Sequence, residues 1–297
     1  MVDYNMFNDL YYNQKLKIFR ENCKVGITGA SGYIGQHLIS KFIKTGVDLI
    51  AFSRHQILNY KRYRNFKFVK INNYLDFPNV KCDFLVHLAE DPSSNSKRIN
   101  DENKLVIDEI VKKTSARIFY FSSGLVYKKK ASIPFDEDDD LSSFTIYQKN
   151  KIFNEKKILQ FDGTILRPST FLGKYPAPNT LLDDMITLIK NNSPLIVKNS
   201  NTVRDFIFFE DAFNFLLRLL IFNCKGVFNL SYGKGISVSE IGLLLQRKIG
   251  HQVEKKIKSH SKSKVTDYLV LNNMKIIKYT GYVPQYSLNN IIEKFNI

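Results

Sequence analysis

The sequence predicts an α/β fold: a doubly wound parallel sheet with a smaller α/β lobe toward its C-terminal end. Three observations predict it. Short, continuously apolar segments alternate with amphipathic ones as far as residue 168. Strands of that kind are buried on both faces, which calls for helices above and below a parallel sheet. A glycine-rich turn, Thr28-Gly29-Ala30-Ser31-Gly32-Tyr33-Ile34-Gly35, joins the first strand to the first helix of the alternation. After Arg167-Pro168 the segments become shorter and less regular, as expected of a lobe over the carboxyl ends of the strands, where open α/β folds bind ligands.

The elements follow in order. Residues 1–22 form an extension with a helix around Gln14 to Arg20. Val25-Gly26-Ile27 is the first strand, and Ile34, Leu38, Ile39, Phe42 and Ile43 give the next helix its apolar stripe. Val47–Phe52, Phe66–Ile71 and Asp83–Leu88 read as the second, third and fourth strands. A helix from Ile99 to Thr114 presents Leu105, Val106, Ile110 and Val111 on one face. Ile118–Phe121 is the fifth strand, ending at Ser122-Ser123-Gly124; a helix spans Phe144 to Gln160, and Thr164–Leu166 is the sixth strand. Beyond it come a helix over Thr180–Lys190, a β-like run Val203–Phe209, a helix to Phe222 and a strand at Val227–Leu230. Helices at Val238–Ile249 and Leu288–Phe295 complete the lobe.

Composition narrows the class. The chain has 297 residues, 44% of them hydrophobic, enough for a large core. No apolar run reaches the ~20 residues that span a bilayer, so no membrane partner is expected. Met1 to Arg20 resembles neither a secretory signal nor a basic transit peptide. Cys23, Cys82 and Cys224 lie far apart, in neither a disulfide framework nor metal-ligand spacing. Reduced core thiols, no metal and a cytoplasmic enzyme are the simplest expectation. The net charge of +16 raises the question of nucleic acid. The lysines are scattered in short runs with no Arg-rich helix, so the charge reads as solvated surface, a fraction of it steering a phosphorylated substrate.

Strand, glycine turn and helix together present free backbone N–H groups to a diphosphate. Gly29 provides the tight turn, Gly32 lets phosphates approach the backbone, and Gly35 lets helix and strand pack closely. Tyr147 and Lys151, four apart on the predicted helix, share a face. A lysine ammonium beside a phenol favours the phenolate and makes a tyrosine a general acid/base near neutral pH. Ser123, off the end of the fifth strand, supplies a hydroxyl for a substrate oxygen. An arbitrary Tyr-x-x-x-Lys among 16 tyrosines carries little weight; three features in order on successive elements carry much more.

In this order the motifs resemble the extended short-chain dehydrogenase/reductase family, in its nucleotide-sugar branch. The glycine turn, Asp83 to Ala89, Phe121 to Tyr127, Pro134 to Asp138, Tyr147 to Lys151, Leu166-Arg167-Pro168, Arg204 to Ile207 and Gly226 to Leu230 all match, from Cys23 onward. The resemblance implies a Rossmann dinucleotide-binding domain over 23–168, with segments near 203–231 contributing, and a substrate lobe over 169–297. It implies a catalytic Ser123–Tyr147–Lys151 set, a nucleoside-diphosphate sugar as partner, and a homodimer. By the same resemblance the cofactor meets Gly29, Ser31, Gly32, Tyr33, Ile34, Gly35, Ser53, Arg54, Leu88, Ala89, Tyr147, Lys151 and Pro168. The substrate meets Ser123, Asn179, Thr180, Leu181 and Arg204, with Arg204 on the diphosphate. Lys128, Thr170 and Asn72 depart from the pattern, where glycine, asparagine and aspartate are common.

The end of the second strand reads Ser53-Arg54-His55, without the carboxylate that would bind the ribose hydroxyls of NAD. Arginine pairs with a 2′-phosphate, so NADP(H) is expected over NAD(H). Gly124-Leu125 stands where the dehydratases of this branch carry an Asp-Glu pair, so water elimination lacks its acid and base. The expected reaction is NADPH-dependent reduction of a nucleoside-diphosphate 4-keto-6-deoxy sugar, in making activated sugars for surface polysaccharide. An NAD-dependent 4-epimerase of the same fold is the nearest alternative, and a catalytically inactive dinucleotide-binding regulator the alternative of another class.

Overall fold

In chain order the elements are α1 (Tyr4–Asn22), β1 (Lys24–Thr28), α2 (Tyr33–Thr45), β2 (Asp48–Ser53), β3 (Phe66–Lys70), β4 (Phe84–His87), α3 (Lys97–Lys113), β5 (Arg117–Phe121), α4 (Ile146–Gln160), β6 (Thr164–Pro168) and β7 (Thr170–Leu172). They continue with α5 (Leu181–Lys190), β8 (Ile196–Val197), β9 (Val203–Phe208), α6 (Phe209–Ile221), β10 (Gly226–Leu230), β11 (Gly235–Ser237), α7 (Val238–Ile249), β12 (Lys258–Ser259), β13 (Tyr268–Leu269), α8 (Met274–Thr280) and α9 (Leu288–Glu293). The structure is a computed structural model that describes all residues except 1–3, 58, 91–96, 131, 174–175, 178–179, 192, 194–195, 198–200, 250–257, 260–266 and 295–297.

Seven parallel strands form the main sheet in the order β10-β6-β5-β4-β1-β2-β3. The order reverses between β1 and β4, which opens a crevice at their carboxyl ends. Alternation along β1 assigns the two faces. Val25 and Ile27 pack with α2 and α6 residues such as Phe42, Phe215 and Leu216. A Cβ at Gly26 would instead meet Leu85 and Cys82, on the side covered by Val106, Ile107 and Ile110 of α3 and Ile158 of α4. Both faces are apolar because both are covered. The lobe has its own core of Leu182, Met185, Phe206, Phe208, Ile241 and Ile291. Its sheet is centred on β9, with β11 antiparallel and β7 and β13 parallel to it; β8 pairs with β12. Among the described residues no helix is long and apolar enough to cross a membrane.

Several elements differ from the sequence reading. The N-terminal helix covers Tyr4–Asn22 instead of a short stretch around Gln14 to Arg20. Its sequence has no clean apolar stripe, and tertiary contacts hold it: Phe19 packs on Phe84, Tyr11 stacks on Phe222, and the Arg218 guanidinium lies 3.8 Å from the Tyr12 ring centre. Helix α4 starts at Ile146 and leaves out Phe144, because Thr145 and Gln148 form a reciprocal capping box there. Helix α8, ended by Gly281 at φ 63°, is too short to carry a periodic signal. The chain does not divide simply at residue 168. Strand β10 pairs with β6 along Gly226–Leu230 and α6 packs on the main sheet, whereas β9 belongs to the lobe.

Candidate functional site

The glycine turn sits at the crevice between β1 and β4. Gly29 has φ 66°, and a Cβ on it would lie 2.9 Å from the Ala89 amide nitrogen, so both conformation and space require glycine. A Cβ on Gly35 would lie 2.5 Å from the Gly29 oxygen, which keeps α2 against the turn. Gly32 is the N-cap of α2 and offers no side-chain cap. The first amides of that helix therefore lack a capping side chain and carry the positive end of its dipole. A cleft of about 350 Å³ opens here, lined among others by Gly29, Ser31, Gly32, Leu88, Ala89 and Glu90. A glycine-opened backbone cradle at a helix N-terminus fits a dinucleotide diphosphate.

At the cleft's other end stand Ser53, Arg54, His55, Asn72 and Tyr74. The Ser53 hydroxyl bonds that of Ser31 at 2.7 Å and accepts the His55 amide, so it knits β2 to the glycine turn. Arg54 is exposed. The Tyr74 hydroxyl accepts the Gly29 amide at 2.6 Å and donates to the Phe52 carbonyl. Thr28 works from below: its oxygen accepts the amides of Leu88 and Ala89, so its proton goes to His87 Nδ1 at 2.7 Å. His87 thus carries its proton on Nε2, which has no partner among the described residues. Burial lowers its pKa to about 4 and keeps the ring neutral.

The strand β5 and helix α4 bring the three chemistry-bearing residues to the same sheet edge. Ser123 follows β5 and caps a one-turn 3₁₀ segment, its oxygen accepting the Leu125 amide at 3.1 Å; the hydroxyl proton is left to donate. Lys151 Nζ lies 5.7 Å from the Tyr147 ring centre. The ammonium is not devoted to the phenol, however. It pairs with Glu90 Oε2 at 2.6 Å and donates to the Phe121 carbonyl at 2.8 Å. Burial opposes charge on both partners, but their attraction outweighs it: Glu90 titrates below, and Lys151 above, its ordinary range.

Residues 25–231 match the family described as "NAD dependent epimerase/dehydratase family". The chain belongs to that family. Among curated relatives, a putative UDP-glucose 4-epimerase of Methanocaldococcus jannaschii is 24% identical over 301 residues, covering 90% of this chain and 95% of the relative. The dTDP-4-dehydro-6-deoxyglucose reductase of Escherichia coli is 22% identical over 249 residues, covering 72% and 78%. A UDP-glucuronic acid 4-epimerase from Bacillus cereus, solved with UDP-4-deoxy-4-fluoro-glucuronic acid and NAD, superposes with a TM-score of 0.79 at 20% identity, covering 91% of this chain and 97% of that one.

In this epimerase/dehydratase-family chain the residues expected to meet a substrate are less assembled. Arg204, on β9, forms an ion pair with Asp267 at 2.5 Å and also donates to the Asp267 and Val203 carbonyls; Lys129 shares Asp267 at 3.1 Å. Thr180 precedes α5, but its hydroxyl bonds Ala177 O in place of capping the helix, and Leu181 is 39% exposed. Asn179 lies outside the described residues. Pro168 ends β6 beside Leu230 of β10.

Three participants escaped the sequence reading: Glu90, Tyr74 and Asp267. Glu90 had one signal, an acid directly after the apolar fourth strand. The matched motifs also prove to be wired together. Arg167 pairs with Glu155 at 2.7 Å, both under 6% exposed, while Ser122 donates to Glu155. Arg167 also donates to Tyr127, which in turn donates to Asn229, and the Asn229 amide bonds Glu137. A buried, satisfied network of this kind fixes the relative placement of β5, α4, β6 and β10.

Proposed function

We propose that this chain is an NADPH-dependent reductase of a 4-keto-6-deoxy sugar carried on a nucleoside diphosphate. The observation that carries the reading is the cleft end at β2, where Ser53 and Arg54 offer a hydroxyl and a cation and the strand supplies no carboxylate. That chemistry suits a 2′-phosphate. The Gly124–Leu125 turn after Ser123 likewise supplies no acid or base for dehydration, and the Escherichia coli relative is named as a reductase of this kind.

Reduced nicotinamide, when bound, supplies hydride to C4. The chain's own residues do the rest. Ser123, with its oxygen already engaged by Leu125, points its proton to the carbonyl oxygen. Tyr147 donates a proton to that oxygen as charge develops on it, so the ketone becomes an alcohol. Lys151 supports the phenol electrostatically and binds the nicotinamide ribose. Gly32, Tyr33 and Ile34 meet the dinucleotide diphosphate; Arg204 leaves Asp267 to take the diphosphate of the sugar, with Thr180 and Leu181 beside the nucleotide. Leu105 on α3 and Phe153 on α4, 52% and 40% exposed, suit a homodimer through these helices. The free thiols of Cys23, Cys82 and Cys224 suit the cytoplasm.

The 4-epimerase reading is favoured by the match of the Methanocaldococcus jannaschii relative over 90% of this chain. NADPH absorbance, followed across GDP-, dTDP-, CDP- and UDP-linked 4-keto sugars, separates the two. The reductase consumes NADPH with one of them and purifies without bound dinucleotide. Tightly held NAD⁺ that survives gel filtration, with C4 interconversion and no net NADPH use, overturns it.

A further inference from the structure

We infer that Glu90 is a positioning residue for the reaction, a built-in counter-charge that limits how much of the Lys151 field reaches Tyr147. The geometry carries this. An ammonium has three protons to give. Lys151 spends one on Glu90 Oε2 at 2.6 Å and one on the Phe121 carbonyl at 2.8 Å. The carboxylate is itself held from the far side: Tyr120 donates its hydroxyl to Oε1, and Asn154 donates Nδ2 to the same oxygen at 2.7 Å. Lys151 and Glu90 are 9% and 10% exposed at their side chains, so water screens their interaction little. Glu90 also lines the dinucleotide cleft, on the side that a nicotinamide ribose would approach.

Among the described residues, the charged and titratable neighbours of the pair leave this assignment intact. His87, on β4, is neutral. Tyr120 on β5 holds its proton firmly, through burial and the adjacent Glu90. Glu155, one turn along α4, is neutralised by Arg167. Tyr147 is the remaining neighbour, 5.7 Å from the ammonium. A lone lysine there would favour the phenolate, the form that removes a proton from an alcohol. A lysine compensated at 2.6 Å exerts less of that pull, which leaves more of the form that gives a proton to a ketone. Glu90 therefore biases the site toward reduction. This deepens the proposed reductase activity and rests on it for its direction.

The test replaces the charge and keeps the shape: Glu90→Gln. Reduction requires the phenol, so its rate falls on the alkaline side as that proton is lost. Without the counter-charge the alkaline limb of kcat moves to lower pH, by about one unit, so kcat drops by up to about tenfold against wild type at the pH values where the limb is fully developed in both. KM for the sugar nucleotide changes less than about twofold, because Glu90 lies on the dinucleotide side. Glu90→Asp, which retains the charge, restores most of the limb and carries the test alone if the amide variant does not fold. A second readout needs no substrate: phenolate absorbance on alkaline titration, taken as the difference between each protein and its Tyr147→Phe counterpart. Glu90→Gln brings that difference signal in at lower pH. Superimposable difference titrations for wild type and Glu90→Gln would overturn the role of Glu90. A shifted titration in a protein that reduces no 4-keto sugar would leave Glu90 its role and remove the reductase.

Discussion

The two sides of the cleft are built to different degrees of completion. On the dinucleotide side the glycine turn is held from several directions: Tyr74 on the Gly29 amide, Ser53 on Ser31, Thr28 beneath Leu88 and Ala89. On the side proposed for the sugar, Arg204 is bound to a carboxylate of its own chain. On the proposed reading the dinucleotide docks on a finished surface, whereas the sugar nucleotide displaces Asp267 and completes its site as it binds.

The largest effect expected is on the chemistry common to both sides. Tyr147→Phe should lower kcat by about 10³-fold, within the range for loss of a general acid, with NADPH affinity by fluorescence titration changed less than about twofold. Unchanged turnover would detach the sheet edge from the reaction. The next pair of changes separates the two sides. Arg54→Ala should raise KM for NADPH by about 10–100-fold and leave NADH nearly untouched, as expected for a lost charge-assisted bond. Arg204→Ala should raise KM for the sugar nucleotide by a smaller factor, about tenfold, because the native arginine first breaks its pair with Asp267. Equal penalties would erase the contrast between a finished and an unfinished half.

The smallest effect concerns the seam between them. Asp205, on β9, is buried and accepts the Gly233 and Leu271 amides on Oδ2. Burial raises its pKa from 3.8 to about 7, against those hydrogen bonds. The folded state then holds this proton over pH 4 to 7 and the unfolded state does not, so this residue's contribution to stability declines as pH rises through that window. Asp205→Asn should flatten that decline, read as the difference in unfolding midpoint between pH 5 and pH 8 for the two proteins. Equal pH differences in the two would refute it.

The sequence made the dinucleotide side legible because its chemistry is local. The glycines fall within one strand–turn–helix unit, Ser53-Arg54 at one strand end and Tyr147-x-x-x-Lys151 within one helix, so period and spacing locate them. The parallel sheet was legible for the same reason, and so was each crossover helix apart from its ends. Glu90, Tyr74 and Asp267 were not, because each acts across a distance of 45 to 63 residues, on Lys151, Gly29 and Arg204. The return of α6 and β10 to the main sheet is a long-range pairing too, expected only through the family resemblance, and α1 is held by partners such as Phe222 and Arg218 that no local pattern announces.

The hydroxyl of Tyr74 gives the glycine turn a consequence of its own. By taking the Gly29 amide and giving its proton to Phe52 O, it ties the turn to its neighbouring strand as a staple would. Ordering a loop of this length upon association would cost about 1–2 kcal/mol for each residue fixed. Here the fold has already met that cost. Loading and unloading of the dinucleotide can then proceed as repeated docking on a rigid surface, with no loop to refold at each turnover, a property suited to the proposed reductase, which would exchange its reductant every cycle.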